Sequence, residues 1–133
     1  MKPAAAECFE KALRLVAEAE IMLKAQLFEA AGRNAYLAGC HAARGLLLED
    51  TGKVTTRHQR LWGDLTQALH NRGLSDPALT AFLPNAYSLK RVADYETGNS
   101  EITRERAEKA IGEAKQYVQK LHAITQAPCN DVT

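Results

Sequence analysis

Histidine titrates near neutral pH and can carry a proton, and arginine can hold an anion through two parallel N–H donors. Two short stretches of this chain supply such groups. The first, Ala31 to Glu49 (AGRNAYLAGCHAARGLLLE), carries Arg33, Asn34, His41 and Arg44 on an otherwise alanine- and leucine-rich segment. At the helical period, Ala31, Ala35, Gly39, Ala42 and Leu46 form one stripe and Arg33, Leu37, His41, Arg44 and Leu48 another, so both faces look covered. The second stretch, KRVADYE from Lys90 to Glu96, packs two cations, two carboxylates and a phenol into seven residues. On a helix Arg91 is i,i+3 from Asp94 and i,i+4 from Tyr95, so the three can meet on one surface with Lys90 beside them.

Each group has a plain reading and a functional one. Arg91, Asp94 and Tyr95 form either a local ion pair with the phenol stacked on the guanidinium, or a recognition patch in which Arg91 meets an anion. His41 is either a partly buried structural residue or joins Arg33 and Arg44 in an anion-binding cleft. Lys53, Arg57, His58 and Arg60 are the one basic cluster, a solvated loop and cap or a contact for nucleic acid.

Several chemistries are excluded by pattern. The histidines at 41, 58, 70 and 122 include no H-E-x-x-H, and no glutamate stands three residues before a histidine, so neither a metal nor any other cofactor is expected. No phosphate-binding G-x-x-x-x-G-K-[ST] or hydrolase G-x-S-x-G occurs. Cys8, Cys40 and Cys129 are odd in number and far apart, which reads as free thiols in a reducing compartment. A net charge of +1 gives no global attraction to nucleic acid or anionic membrane, so any such binding must be local. There is no run of about 18 apolar residues and no signal-peptide core, so a cytoplasmic protein without membrane contact is expected.

The elements that would position these residues are all helical. Phe9, Leu13, Val16, Ala19 and Leu23 mark a first helix. Continued without a break from Ala4 to Thr51 it would be about 70 Å long, so a break is required near Lys24 to Leu27. The second helix ends at Thr51, with Gly52 as left-handed cap. Thr56 to Gln59 has the form of a capping box for a third helix bearing Leu61, Trp62, Leu65, Ala68 and Leu69. Asp76 and Pro77 open a fourth, in which Pro84 predicts a kink or restart and Gly98 the end. Ala107, Ile111, Ala114, Val118 and Leu121 mark a fifth. The expectation is an all-α, up-and-down bundle of five helices, one domain over residues 1–125 with a disordered tail at 126–133, and Phe9, Leu46, Trp62 and Phe82 in or near its core.

The runs LFEAAGRNAYLAGCHAARGLLLED, RHQRLWGDL and KRVADYETG together resemble the HEPN family of small bacterial and archaeal helical proteins. The likeness lies in a Tyr-x-x-x-x-His-Ala-Ala-Arg helix followed by a later Arg91-Val92-Ala93-Asp94-Tyr95, and it extends over residues 24–120. It implies a helical dimer with a shared cleft, often paired with a minimal nucleotidyltransferase in a toxin–antitoxin arrangement. Catalytic members are similar to metal-independent ribonucleases built on an arginine followed, after four to six residues, by a histidine. Arg91 matches that arginine, but Glu96, Thr97 and Gly98 occupy the histidine slots, and Arg33 to His41 overshoots the spacing by one residue.

Three functions stay open: a regulatory partner of a nucleotidyltransferase, binding nucleotide or RNA at a dimer cleft through Arg33, His41, Arg44, Lys90, Arg91, Asp94 and Tyr95; a ribonuclease with a non-standard set such as His41 with Arg91; and a nucleotide-binding helical module without catalysis. The first is preferred. The small-residue stripe Ala31, Ala35, Gly39 and Ala42 would let another helix approach closely, from within the protomer or from a twin, and with the family resemblance it favours a homodimer.

Overall fold

The computed structural model describes residues 1–98 and 102–127. They form α1 (Pro3–Lys24), α2 (Phe28–Thr51), α3 (His58–Asn71), α4 (Pro77–Tyr95) and α5 (Arg104–Gln126), with no strand among the described residues. The fold is all-α, as the helical periodicity predicts. Of the tail expected at 126–133, Gln126 still belongs to α5, and residues 128–133 with Cys129 lie outside the described residues.

α2 is the central element and touches all four other helices. Its stripe of Ala31, Ala35, Gly39, Ala42 and Leu46 is buried, as are Tyr36, Ala38, Cys40 and Leu47 beside it. Two of its glycines have a steric cause. A Cβ at Gly39 would lie 2.6 Å from the Phe82 ring and 2.9 Å from Leu83, and one at Gly45 would lie 2.6 Å from the Phe9 ring. The small stripe thus admits α4 within the protomer, and is not free to receive a twin.

The chain turns between α1 and α2 at Gln26, whose φ of 63° is left-handed. Antiparallel register follows from two bonds: the Lys2 backbone N–H donates to Glu49 Oε1 at 2.6 Å, and buried Asn34 donates from Nδ2 to the Leu15 carbonyl at 3.2 Å. α4 runs antiparallel to α2, with Leu83 against Gly39 and Asp94 against Arg33. α5 is antiparallel to α4, from Arg106 beside Ser88 to Lys120 beside Asp76. The four long helices therefore alternate in direction. α3 runs in the same sense as α2, because residues 53–57 carry the chain back along it; His58 starts beside Tyr36 and Arg72 ends beside Asp50.

At the helix ends, Gly52 takes the expected left-handed conformation with φ 72°, and Asp76 accepts from the Ala78 N–H. Four local expectations are corrected. The N-cap of α3 is Arg57 without a side-chain bond, and Thr55 Oγ1 accepts from the Arg57 N–H in a local turn where a Thr56 capping box was expected. α4 does not restart at Pro84. It ends at Tyr95 with Glu96 extended, before Gly98 is reached. On α1 the buried line runs through Ala5, Phe9, Ala12, Leu15, Val16 and Ala19, leaving Leu13 exposed. Phe9, Leu46 and Phe82 are in the core, and Trp62 is partly buried against it.

Glycine substitutions test this packing. Gly39→Ala should lower stability by about 1–3 kcal/mol through overpacking against Phe82. Gly63→Ala, in an exposed part of α3 with nothing near its Cβ position, should raise it by up to about 1 kcal/mol. Thermal unfolding of the two variants should shift in opposite directions.

Candidate functional site

At the open end of the α2–α4 seam, Asp94 is held by two cations. Arg33 donates from Nε to Oδ1 at 2.7 Å, and Lys90, one turn back on α4, lies 2.8 Å from Oδ2. The Lys90 bond first, opposed by burial and supported by Arg33, keeps the Asp94 carboxyl below its ordinary range; the same bond raises the Lys90 ammonium. Lys90 Nζ also lies 5.5 Å from the Tyr95 ring centroid. The Asp94 carboxylate and the Tyr95 ring are therefore taken by Lys90 and Arg33, where a contact to Arg91 was one of the sequence readings. Lys90 owes this to its i,i+4 spacing from Asp94 and to Arg33, which draws the carboxylate toward α2. Arg91 is exposed and makes no ion pair among the described residues, and Tyr95 beside it is 71% exposed.

Where α2, α3 and α4 meet, Tyr36, His58, Trp62 and Tyr87 form a half-buried aromatic cluster with ring centroids 5.1 to 5.5 Å apart. The Tyr36 hydroxyl accepts from Trp62 Nε1 at 3.2 Å and lies 2.6 Å from His58 Nδ1. The Tyr36 hydroxyl and His58 Nδ1 thus share one hydrogen bond, whose donor is set by the imidazole tautomer. Burial raises the Tyr36 phenol strongly, and burial followed by the Lys90 and Arg44 charges lowers the His58 imidazole. His58 had been grouped with the exposed basic residues; its pairing with Tyr36 brings together two of the segments quoted above, but nothing in their spacing announces the contact.

His41 is half-buried on the opposite flank of the α2 polar stripe. Burial first, then Arg44, Lys11 and Arg14, pull its pKa down to about 4. Arg33 does not join it: Arg33 and Arg44 are eleven positions apart on α2, about 16 Å along the axis at 1.5 Å per residue, and Arg33 is engaged with Asp94. The remaining basic cluster borders a separate cavity of about 560 Å³, lined by Lys53, Arg57 and Arg60 together with Thr55, Asp64 and Asn71. Arg60 there pairs loosely with Asp64 at 3.6 Å. No group of three metal-ligating side chains is assembled among the described residues.

A family model for the HEPN domain matches residues 5–124. The chain belongs to the HEPN family. No curated protein matches it. In this HEPN domain the matched span takes in all five helices but for the first residues of α1 and the last of α5. No helix among the described residues is long and apolar enough to cross a membrane.

The two depressed histidines set an acid limit. The folded HEPN domain binds fewer protons at His41 and His58 than the unfolded chain does below about pH 6.5. Their contribution to stability is complete above that pH and declines as the pH falls from 6.5 toward 4. Asp94 and Asp76, whose carboxyls are lowered, act below that window. His41→Gln should flatten the loss of melting temperature between pH 6.5 and 4, and an unchanged slope would contradict the assignment.

Proposed function

We propose that this HEPN domain is the non-catalytic member of a two-component regulatory or toxin–antitoxin pair with a minimal nucleotidyltransferase, and that it binds nucleotide or RNA at a cleft shared between two copies. The observation that carries this reading is the state of Arg91. It is exposed and makes no ion pair among the described residues, next to exposed Tyr95. α4 ends at Tyr95, so Glu96, Thr97 and Gly98, which stand where the ribonuclease histidine would, lie past the helix and supply no acid–base of neutral pKa. His58 is engaged by Tyr36, and His41, depressed to about 4, is a poor proton carrier at neutral pH. These states of the two histidines favour binding over a ribonuclease that would use His41 with Arg91.

The Arg33–Asp94–Lys90 network suits a binding role. It fixes the end of α4 against α2 and presents Arg91 and Tyr95 outward as an anion donor and an aromatic platform. Since the small-residue stripe is used inside the protomer, a second copy must be received on another surface, and this end of α4 is available.

Metal-free RNA cleavage should be negligible for the wild type, Arg91→Ala and His41→Ala alike, and robust cleavage lost in either variant would overturn the proposal. Co-purification with a nucleotidyltransferase encoded beside it should be weakened at least about tenfold by Arg91→Ala, the effect of one lost charge-assisted contact. Light scattering at micromolar concentration should return twice the 14.6 kDa chain mass; a monomer would remove the shared cleft.

A further inference from the structure

Arg44 is the one charged side chain among the described residues with a buried polar atom that has no hydrogen-bond partner. Its Nε is fully buried and has no acceptor, and the guanidinium makes no ion pair among the described residues. Burying such a donor without a partner is costly. The register of the α1–α2 hairpin, fixed by the bonds of position 2 to 49 and 15 to 34, sets the Cys8 and Lys11 turn of α1 alongside His41 and Arg44. Cys8 and Lys11 are both partly buried there, and the Arg44 charge acts on Cys8 as well as on His41.

The charges bearing on His41 are all cationic: Arg44, Lys11 and Arg14. Glu7 and Glu10 lie one helical turn before Lys11 and Arg14, yet neither forms an ion pair with them among the described residues. Three cations and an imidazole from two helices thus meet along one stretch, Lys11, His41 and Arg44 half-buried and Arg14 exposed; Glu7 acts on Cys8 there but is ion-paired to none of the cations among the described residues.

We propose that Lys11, Arg14, His41 and Arg44, gathered across the α1–α2 hairpin, form a site for a phosphate group. Three positive charges match a phosphate better than a single carboxylate, and the guanidinium supplies a fork of donors suited to its oxygens. His41 adds a neutral ring whose N–H can donate to the same group. The site is separate from the Arg91 end of α4 and does not depend on the function proposed for that end. Its ligand is a phosphate monoester of a small molecule or the diester backbone of RNA, which present the same chemistry.

The test follows the His41 ring signals by NMR at constant ionic strength, adding inorganic phosphate, adenosine 5′-monophosphate or a single-stranded RNA oligonucleotide. The His41 signals should shift and saturate while those of exposed His70 stay still, with at least about a tenfold loss of affinity in Arg44→Gln and in Lys11→Gln. Equal affinity for the three ligands assigns the site to small phosphates. Tighter binding of RNA, with a salt slope reduced by about 0.7 in each variant, assigns it to the RNA backbone. Lys11→Gln changes a helix-surface residue and keeps the test open if Arg44→Gln does not fold. No movement of His41 with any ligand up to about 10 mM, where a millimolar site is largely filled, overturns the proposal; so does a shift that survives both substitutions or one abolished by Arg91→Ala. Unaltered binding in Arg91→Ala supports it, whatever becomes of partner binding in that variant.

Discussion

A helix packed by all of its neighbours has to be thin, and that requirement on α2 governs the rest of the molecule. Phe82 of α4 presses on the backbone at Gly39 and Phe9 of α1 on that at Gly45, each at a distance no side chain would permit. Five of the other buried positions of α2 are alanines, so adjacent helices come close, and the rings that meet its glycines are supplied by the partners. Between Ala31 and Leu48, only the line through Arg33, Leu37, His41, Arg44 and Leu48 is left half-covered. The polar chemistry of α2 collects along that line because the packing leaves it nowhere else.

Two carboxylates fix how the outer helices meet this axis. Asp94 ties the end of α4 to the start of α2 through Arg33 and Lys90. At the other end, Arg72 grips Asp50 with both Nε and Nη2, at 2.7 and 2.6 Å, and donates from Nη1 to the Ile124 carbonyl of α5 at 2.7 Å. That second pair is largely buried, at 7% and 15% side-chain exposure. Pairs of this kind contribute modestly in net terms, but removing one partner strands a charge. Their structural effect is geometric, since the planar fork of arginine accepts only one orientation of the helices it joins.

The helices were legible because an apolar stripe repeats at the same period wherever a helix packs on one side. Leu13 misled since it borders the stripe of α1 without facing either neighbour, and the Thr56 cap failed because Thr55 made the local turn first. The candidate site was less legible. Residues three or four apart on α4 can meet in several ways, and the choice between Arg91 and Lys90 for Asp94 is made by Arg33, sixty-one positions away. The Tyr36–His58 bond is of the same sort: both residue types are visible, but their meeting depends on the return path of residues 53–57. Spacing within one helix is written locally, whereas contacts between helices await the packing.

The order of the helices along the chain has a cost during synthesis. α2 emerges second, but one of its faces is covered by α5, which emerges last. Until the residues up to Leu121 and Ile124 are made, the most deeply buried helix stands with an alanine and leucine face open to solvent, and Arg72 lacks the Ile124 carbonyl. Local contacts can close the α1–α2 hairpin early, but completion of the bundle requires a loop closed over most of the chain. A ribosome paused before Arg104 therefore holds an incomplete bundle with a sticky center, the form of this protein most in need of a chaperone.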